Sequence, residues 1–295
     1  MRAAVCGSPI RHSLSPVLHT AAYEALGLAD WSYGLLEVDE QRLPEVVGAL
    51  DASWAGLSLT MPLKEAIVPL VDEVSDFARA VGSVNTVVVR PRAGGVAGRA
   101  GVRLLAENTD VEGLVVAVQE AAPGLPAGGV QRGVVLGGGA TARSALVALL
   151  RLGCPEPVVL VRSEHRAGEL RAVAPRLDGR VRVLPWSEVA VAAAADVVIS
   201  TVPAGGSAAV AEQVLAGRST AGDPARWPLL VDVVYAPWPT PLASAWPGEV
   251  VGGFEMLLHQ AAAQVRLMTG LEPPVEAMRR AGASALTERA EGRAG

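Results

Sequence analysis

Short, apolar, β-branched runs alternate with helix-length segments along almost the whole chain, and this alternation limits the possible folds more than any other feature. The runs are Ala3 to Cys6, Leu35 to Val38, Gly56 to Thr60 and Thr86 to Val89, then Val134 to Leu136, Val158 to Val161, Val181 to Leu184, Val197 to Ser200 and Leu229 to Val233. Unbroken apolar runs fit strands buried on both faces, and strands spaced by helices predict parallel sheets between helical layers. With 295 residues, 51% hydrophobic and 19% charged, the chain can build two such α/β domains. Pro123 to Gly129, rich in Pro and Gly, reads as a linker near a domain change. Arg92 to Gly101 reads as a hairpin tip and Ala221 to Pro228 as a loop before a buried strand. Phe254 to Thr269 is a long amphipathic helix ended by Gly270 and Pro273, and the residues past Leu286 read as a loose tail.

A net charge of −5 without any block of like charges argues against nucleic-acid or anionic-membrane surfaces and for small-molecule partners. Cys6 and Cys154 lack ligand spacing, so they read as buried thiols in a reducing compartment; neither a metal site nor a disulfide framework is indicated. The apolar start is cut short by Ser8, Arg11 and His12, and Val189 to Ile199 is too short for a membrane span, so a cytoplasmic location is expected. The oligomeric state, a homodimer included, is left open.

Val134 to Leu136 runs into Gly137-Gly138-Gly139-Ala140-Thr141-Ala142, followed by a helix to about Leu152. A buried strand, a Gly-x-Gly-x-x-Ala turn and a helix form the dinucleotide fingerprint in its proper context. The turn brings backbone close to a pyrophosphate, and the helix N-terminus offers free N–H groups to it. The next strand ends at Arg162, with Arg166 four residues on, where an NAD site would place a carboxylate on the ribose. Two guanidinium groups in that place suit a 2′-phosphate, so NADP is the expected cofactor. The plainer reading is a solvated helix start in an Arg-rich chain.

Lys64 is the only lysine; every other basic side chain is an arginine. Arginine stays charged at any accessible pH while lysine can give up a proton, so a solitary lysine suggests proton transfer. Compositional drift is the alternative. Ser13 and Ser15 put two hydroxyls beside a helix start at Pro16, an arrangement able to hold a carboxylate, although Ser15 reads equally as an N-cap. Asp110, where a strand hands over to a helix, could be a cap or a functional acid.

Several motifs in one order resemble the shikimate dehydrogenase family, which includes shikimate and quinate dehydrogenases. They are Gly7 to Pro16 (GSPIRHSLSP), Leu57 to Glu65 (LSLTMPLKE), Gly82 to Thr86 (GSVNT), Glu107 to Asp110 (ENTD), Gly137 to Arg143, Asp232 to Tyr235 with Thr240-Pro241, and Gly253 to Gln260. The resemblance implies NADPH-dependent, reversible reduction of 3-dehydroshikimate to shikimate in the shikimate pathway of chorismate and aromatic amino-acid biosynthesis. It implies a substrate-binding catalytic domain over residues 1–112, an NADP-binding Rossmann domain with a doubly wound parallel sheet over 113–252, and C-terminal helices over 253–295 returning to the first domain, with a cleft between the domains. Position by position, Ser13 and Ser15 would hold the substrate carboxylate, and Thr60, Asn85, Asp110, Tyr235 and Gln260 the ring hydroxyls. Lys64 and Asp110 would form the catalytic pair, either being the formal acid/base. Gly137, Gly138, Gly139, Ala140, Thr141, Arg162 and Arg166 would bind NADP, with Gly253 and Met256 near the nicotinamide.

The chain departs from the family pattern at Val161, usually Asn, at Ala106-Glu107, more commonly Gly-Asp, and at Gly252, frequently Asp. Rival readings are a quinate or aminoshikimate dehydrogenase using NAD, and a non-catalytic NADP-binding regulator, which would be expected to lack Lys64 or Asp110.

Overall fold

Each apolar run carries a strand in the computed structural model, which describes residues 1–92, 101–123, 129–217 and 227–294. The strands form two six-stranded sheets, and the chain divides into two units: Met1–Thr109 with Leu257–Gly295, and Asp110–Met256.

The first unit holds β1 (Arg2–Gly7), β2 (Ser32–Glu37), β3 (Trp54–Leu59), β4 (Glu73–Val74), β5 (Thr86–Pro91) and β6 (Val102–Glu107), in the order β2-β1-β3-β5-β6-β4. The expected all-parallel sheet is corrected here, because β5 runs antiparallel to both β3 and β6. The connection from β5 to β6 is too short for a crossover helix, which forces a hairpin. The Arg92 N–H closes its base on the Gly101 carbonyl at 2.8 Å, and the expected tip, residues 93–100, lies outside the described residues. β6 buries Val102, Leu104 and Ala106 and turns Arg103, Leu105 and Glu107 the other way, so its apolar stretch is short and flanked by charge; β4 is too short to leave a pattern.

Period-two alternation sorts this sheet's residues onto two faces. Ala4, Cys6, Leu57, Leu59, Val87 and Val89 pack with α2 (Leu43–Gly48), α3 (Leu63–Ala66) and α4 (Asp76–Val81). Burial pushes the Cys6 thiol up to about 12. On the C-terminal side are α10 (Gly253–Thr269), α11 (Val275–Ala294) and, packed on α11, α1 (Ser15–Ala25). Gly56 has no side chain where a Cβ would lie 2.8 Å from Met268, so α10 comes down close to β3. The loose tail is also corrected: α11 runs on to Ala294, since its Ala, Glu and Arg residues are good helix formers.

The second unit holds β7 (Gly133–Leu136), β8 (Val158–Val161), β9 (Arg182–Pro185), β10 (Val197–Ser200), β11 (Leu229–Asp232) and β12 (Val250–Gly252), in the order β12-β11-β10-β7-β8-β9. All are parallel. This is a doubly wound sheet whose order reverses between β7 and β10, where such folds take their ligands. Its helices are α5 (Asp110–Ala121), α6 (Ala140–Arg151), α7 (Glu164–Arg171), α8 (Ala204–Gly217) and α9 (Pro241–Ala245). The change of unit falls between Thr109 and Asp110, ahead of α5, and not at the Pro- and Gly-rich run that follows this helix. Most of that run, and residues 221–226 of the loop expected before β11, lie outside the described residues. Among the described residues no helix is long and apolar enough to cross a membrane.

Candidate active site

In the first unit three motif segments interlock at the ends of β3, β5 and β6. β3 ends at Leu59, and the Thr60 N–H bonds the Cys6 carbonyl at 3.0 Å. One turn on, the carbonyl of half-buried Lys64 accepts from the Val84 N–H at 3.0 Å, tying α3 to the segment that carries Asn85. α4 stops at Gly82, whose φ of 72° is a left-handed C-cap that favours glycine. The chain then passes through Ser83, whose carbonyl accepts from Asn108 Nδ2 at 2.8 Å. The Glu107 carboxylate accepts from the Ser75 hydroxyl at 2.6 Å, and Ser75 caps α4 in turn. Ala106-Glu107 thereby serves local structure.

Asn85 is the junction of these segments and is 1% exposed. Its Oδ1 accepts from the Thr109 N–H at 2.8 Å, and its Nδ2 donates to Thr109 Oγ1 at 2.9 Å and to Gln260 Oε1 at 3.2 Å. Asp110, the next residue in the chain, is buried at the start of α5. Sequence reasoning named Asn85, Gln260 and Asp110 but not Thr109, although it lies inside the ENTD motif. It also missed Gln264, one turn after Gln260 on α10; the four-residue spacing of two glutamines on an apolar helix was the available signal.

The loop from Gly7 to Ser15 is held by Glu37, whose two carboxylate oxygens accept from Ser8 Oγ at 2.7 Å and the Ile10 N–H at 3.2 Å. Ser15 is corrected as an N-cap: it is the first helical residue and makes no capping bond. Ser13 Oγ accepts instead from the Ser15 N–H at 3.2 Å. Both serines are buried. The loop is also gripped from α11, where Arg289 donates to the His12 carbonyl at 2.6 Å and the Ser13 carbonyl at 3.3 Å.

In the second unit the glycine loop joins β7 to α6 at the switch point. Gly137 has φ of 125°, and a Cβ there would lie 2.2 Å from Thr201 Oγ1, so both conformation and space exclude a side chain. Ala142 is buried in α6, and above Gly139 the space is open, as a cradle for a phosphate requires. A Cβ on Gly138 would lie 3.0 Å from the Cβ of Arg166 and 3.2 Å from Val161, which places both residues against the loop. α7 starts at Glu164 with Ser163 at its N-cap position, and Glu169 receives Arg166 at 3.0 Å and Arg143 at 3.1 Å. Arg162 is exposed at the end of β8.

Tyr235 follows β11 and is half-buried. The Gly253 N–H bonds the Val234 carbonyl at 3.2 Å, and Met256 is buried one turn into α10. Gly252 has a local cause: a Cβ there would lie 3.1 Å from the Trp238 ring, which fills the space an aspartate would need.

A family model described as the shikimate dehydrogenase substrate binding domain matches residues 5–87, and one described as the shikimate 5'-dehydrogenase C-terminal domain matches residues 253–281. The chain is 36% identical over 294 residues to shikimate dehydrogenase (NADP(+)) of Rubrobacter xylanophilus, covering 93% of each. The crystal structure of Mycobacterium tuberculosis shikimate dehydrogenase is 40% identical, with a TM-score of 0.81 over 96% of this chain and 99% of that one. Shikimate 5-dehydrogenase of Thermus thermophilus, in complex with NADP(H) and shikimate, is 32% identical, with a TM-score of 0.74 over 97% and 99%. Parallel sheet, strand order and glycine loop define a dinucleotide-binding protein of the Rossmann type. Within that class the chain belongs to the shikimate dehydrogenase family.

Proposed function

We infer that this chain catalyses the reversible, NADP-dependent reduction of 3-dehydroshikimate to shikimate, a step of the shikimate pathway. The observation that carries this reading is family membership over nearly the full length, joined to the interlocked 57–65, 82–86 and 107–110 segments around Asn85. The open space above Gly139 and the seat of Arg166 on Gly138 fit a dinucleotide with a charged phosphate beside its ribose. Gly137, Gly138, Gly139, Ala140 and Thr141 would hold the pyrophosphate, Arg162 and Arg166 the 2′-phosphate, and Gly253 and Met256 the nicotinamide end. When bound, NADPH supplies the hydride.

The chain's own residues supply position and proton. The Ser13 and Ser15 hydroxyls hold the substrate carboxylate; Thr60, Asn85, Tyr235 and Gln260 hold ring hydroxyls. A ketone carbon that receives hydride leaves an alkoxide, which needs a proton and a nearby positive charge; the Lys64 ammonium provides both. Asp110 is the second member of the catalytic pair. Lys64 becomes a neutral amine as the alkoxide becomes a hydroxyl, and it recovers its proton from solvent. The first unit is then the substrate-binding domain with Lys64, and the second the cofactor domain, which also brings Asp110 and Tyr235. The two buried free thiols favour the cytoplasm.

Initial rates of oxidation of shikimate and quinate, each with NADP and with NAD, test the reading. Shikimate with NADP should exceed every other pair by about tenfold or more, the worth of one good charge-assisted contact. Faster turnover of quinate with NAD would overturn it, and no turnover of any pair would mark a non-catalytic binder.

A further inference from the structure

A continuous buried chain of hydrogen bonds runs from Tyr33 to Gln260, and the proposed mechanism gives no part to Tyr33, Ser58, Gln264 or Thr86. Tyr33 donates to Ser58 Oγ at 2.6 Å and Ser58 to Gln264 Oε1 at 2.7 Å. Gln264 Nε2 donates to Thr86 Oγ1 at 2.9 Å and to the Asn85 carbonyl at 3.3 Å. Thr86 Oγ1 donates to Asn85 Oδ1 at 2.9 Å, and Asn85 Nδ2 reaches Gln260. Groups with one fixed role set every direction. The Asn85 carbonyl can only accept, so Gln264 must turn its nitrogen there and its oxygen toward Ser58 and His19, whose Nε2 lies 3.3 Å away. The Thr109 N–H can only donate, so Asn85 must turn its oxygen to it and its nitrogen toward Gln260. Thr86, receiving from Gln264, has its own proton left for Asn85. Ser58, giving its own proton to Gln264, receives that of Tyr33. Every donor points the same way along the chain, and Gln264, 1% exposed, is its midpoint.

We propose that Gln264 is a positioning residue for the substrate: its amide, through Thr86, joins the Thr109 N–H in fixing which face of the Asn85 amide donates. The proposal rests on the reading of Asn85 as a substrate contact. Flipping the Asn85 amide would present an acceptor where the substrate hydroxyl meets a donor, so loss of Gln264 should weaken substrate binding and leave the cofactor alone.

The test measures KM for shikimate and for NADP in Gln264→Met, in Thr86→Val, which breaks the next link with an isosteric side chain, in Asn85→Ala, and in each of the first two combined with Asn85→Ala. Each single variant should raise the shikimate KM about tenfold, the worth of one hydrogen bond, with the NADP KM within about twofold of wild type. In the Asn85→Ala background neither further change should add to the loss, since both act through that amide. If Gln264→Met does not fold, Thr86→Val carries the same test. An unchanged shikimate KM in a folded variant, equal losses on both substrates, or additive losses would overturn the proposal while Asn85→Ala still shows its effect. A normal shikimate KM in Asn85→Ala would instead overturn the assignment of Asn85, and the proposal with it.

Discussion

Replacing Lys64 removes the chain's only ammonium side chain and leaves the rest of α3 to hold its place through Leu63, which is fully buried. Lys64→Met should lower kcat roughly a hundredfold to ten-thousandfold, the range of a lost general acid, while shikimate still binds in equilibrium titration. Lys64→Arg should fail similarly, because it keeps the charge and loses the transferable proton. Near-normal turnover in either would remove Lys64 from the mechanism. The residues whose chemistry is intrinsic were legible in the sequence: a lone lysine, glycines in a strand–turn–helix context, an arginine pair at a strand end. Ser58, Thr86 and Gln264 were not. Each is an ordinary polar residue until the fold brings together partners as far apart as Thr86 and Gln264, 178 positions along the chain. Trp238, whose ring explains Gly252, was hidden for the same reason.

Elements hold the Gly7–Ser15 loop from both sides, and α11 contributes through a side chain that composition alone would have assigned to a loose tail. Arg289 spans from its last turns to the backbone of His12 and Ser13. Arg289→Ala should cost about 1 kcal/mol of stability, as a charged donor lost from a partly exposed site. It should also raise the shikimate KM several-fold while leaving the NADP KM unchanged, as steady-state kinetics and urea melts would show. An unaltered shikimate KM would mean that Glu37 alone fixes the loop. The elements of the second unit were the most readable, because a parallel sheet buries both faces and leaves uninterrupted apolar runs. β4 and β6 were the least readable: two residues carry no periodicity, and a half-exposed strand alternates with charge.

At the scale of the molecule, His19 makes stability depend on acidity. It is fully buried, stacks on Tyr33 with ring centroids 3.9 Å apart, and burial lowers its pKa from 6.5 to about 3. The folded protein therefore keeps the ring neutral where the unfolded chain protonates it. The stabilisation is complete above pH 6.5 and is lost as pH falls toward 3, with roughly 2 kcal/mol gone by pH 5. Asp232 slopes the other way. Burial raises its pKa above 3.8, so the protonated form contributes stability that is lost as pH rises from there through the folded value. Urea midpoints at pH 7.5 and pH 5 should fall in the wild type and much less in His19→Gln; equal falls in both would assign the effect to other groups.

The first unit is discontinuous, with Leu257–Gly295 completing what Met1–Thr109 begins. On a ribosome the amino-terminal sheet emerges with Ser58, Thr86 and the face over Gly56 still waiting for α10. At roughly 5–20 residues per second, the intervening unit takes on the order of ten seconds to be made. For that interval the nascent sheet has a wet, unroofed side, and the second unit can fold to completion while the first is still open. The carboxy-terminal helices thus act as a late clasp, so termination just before Leu257 leaves a finished second unit tethered to an unfinished first unit.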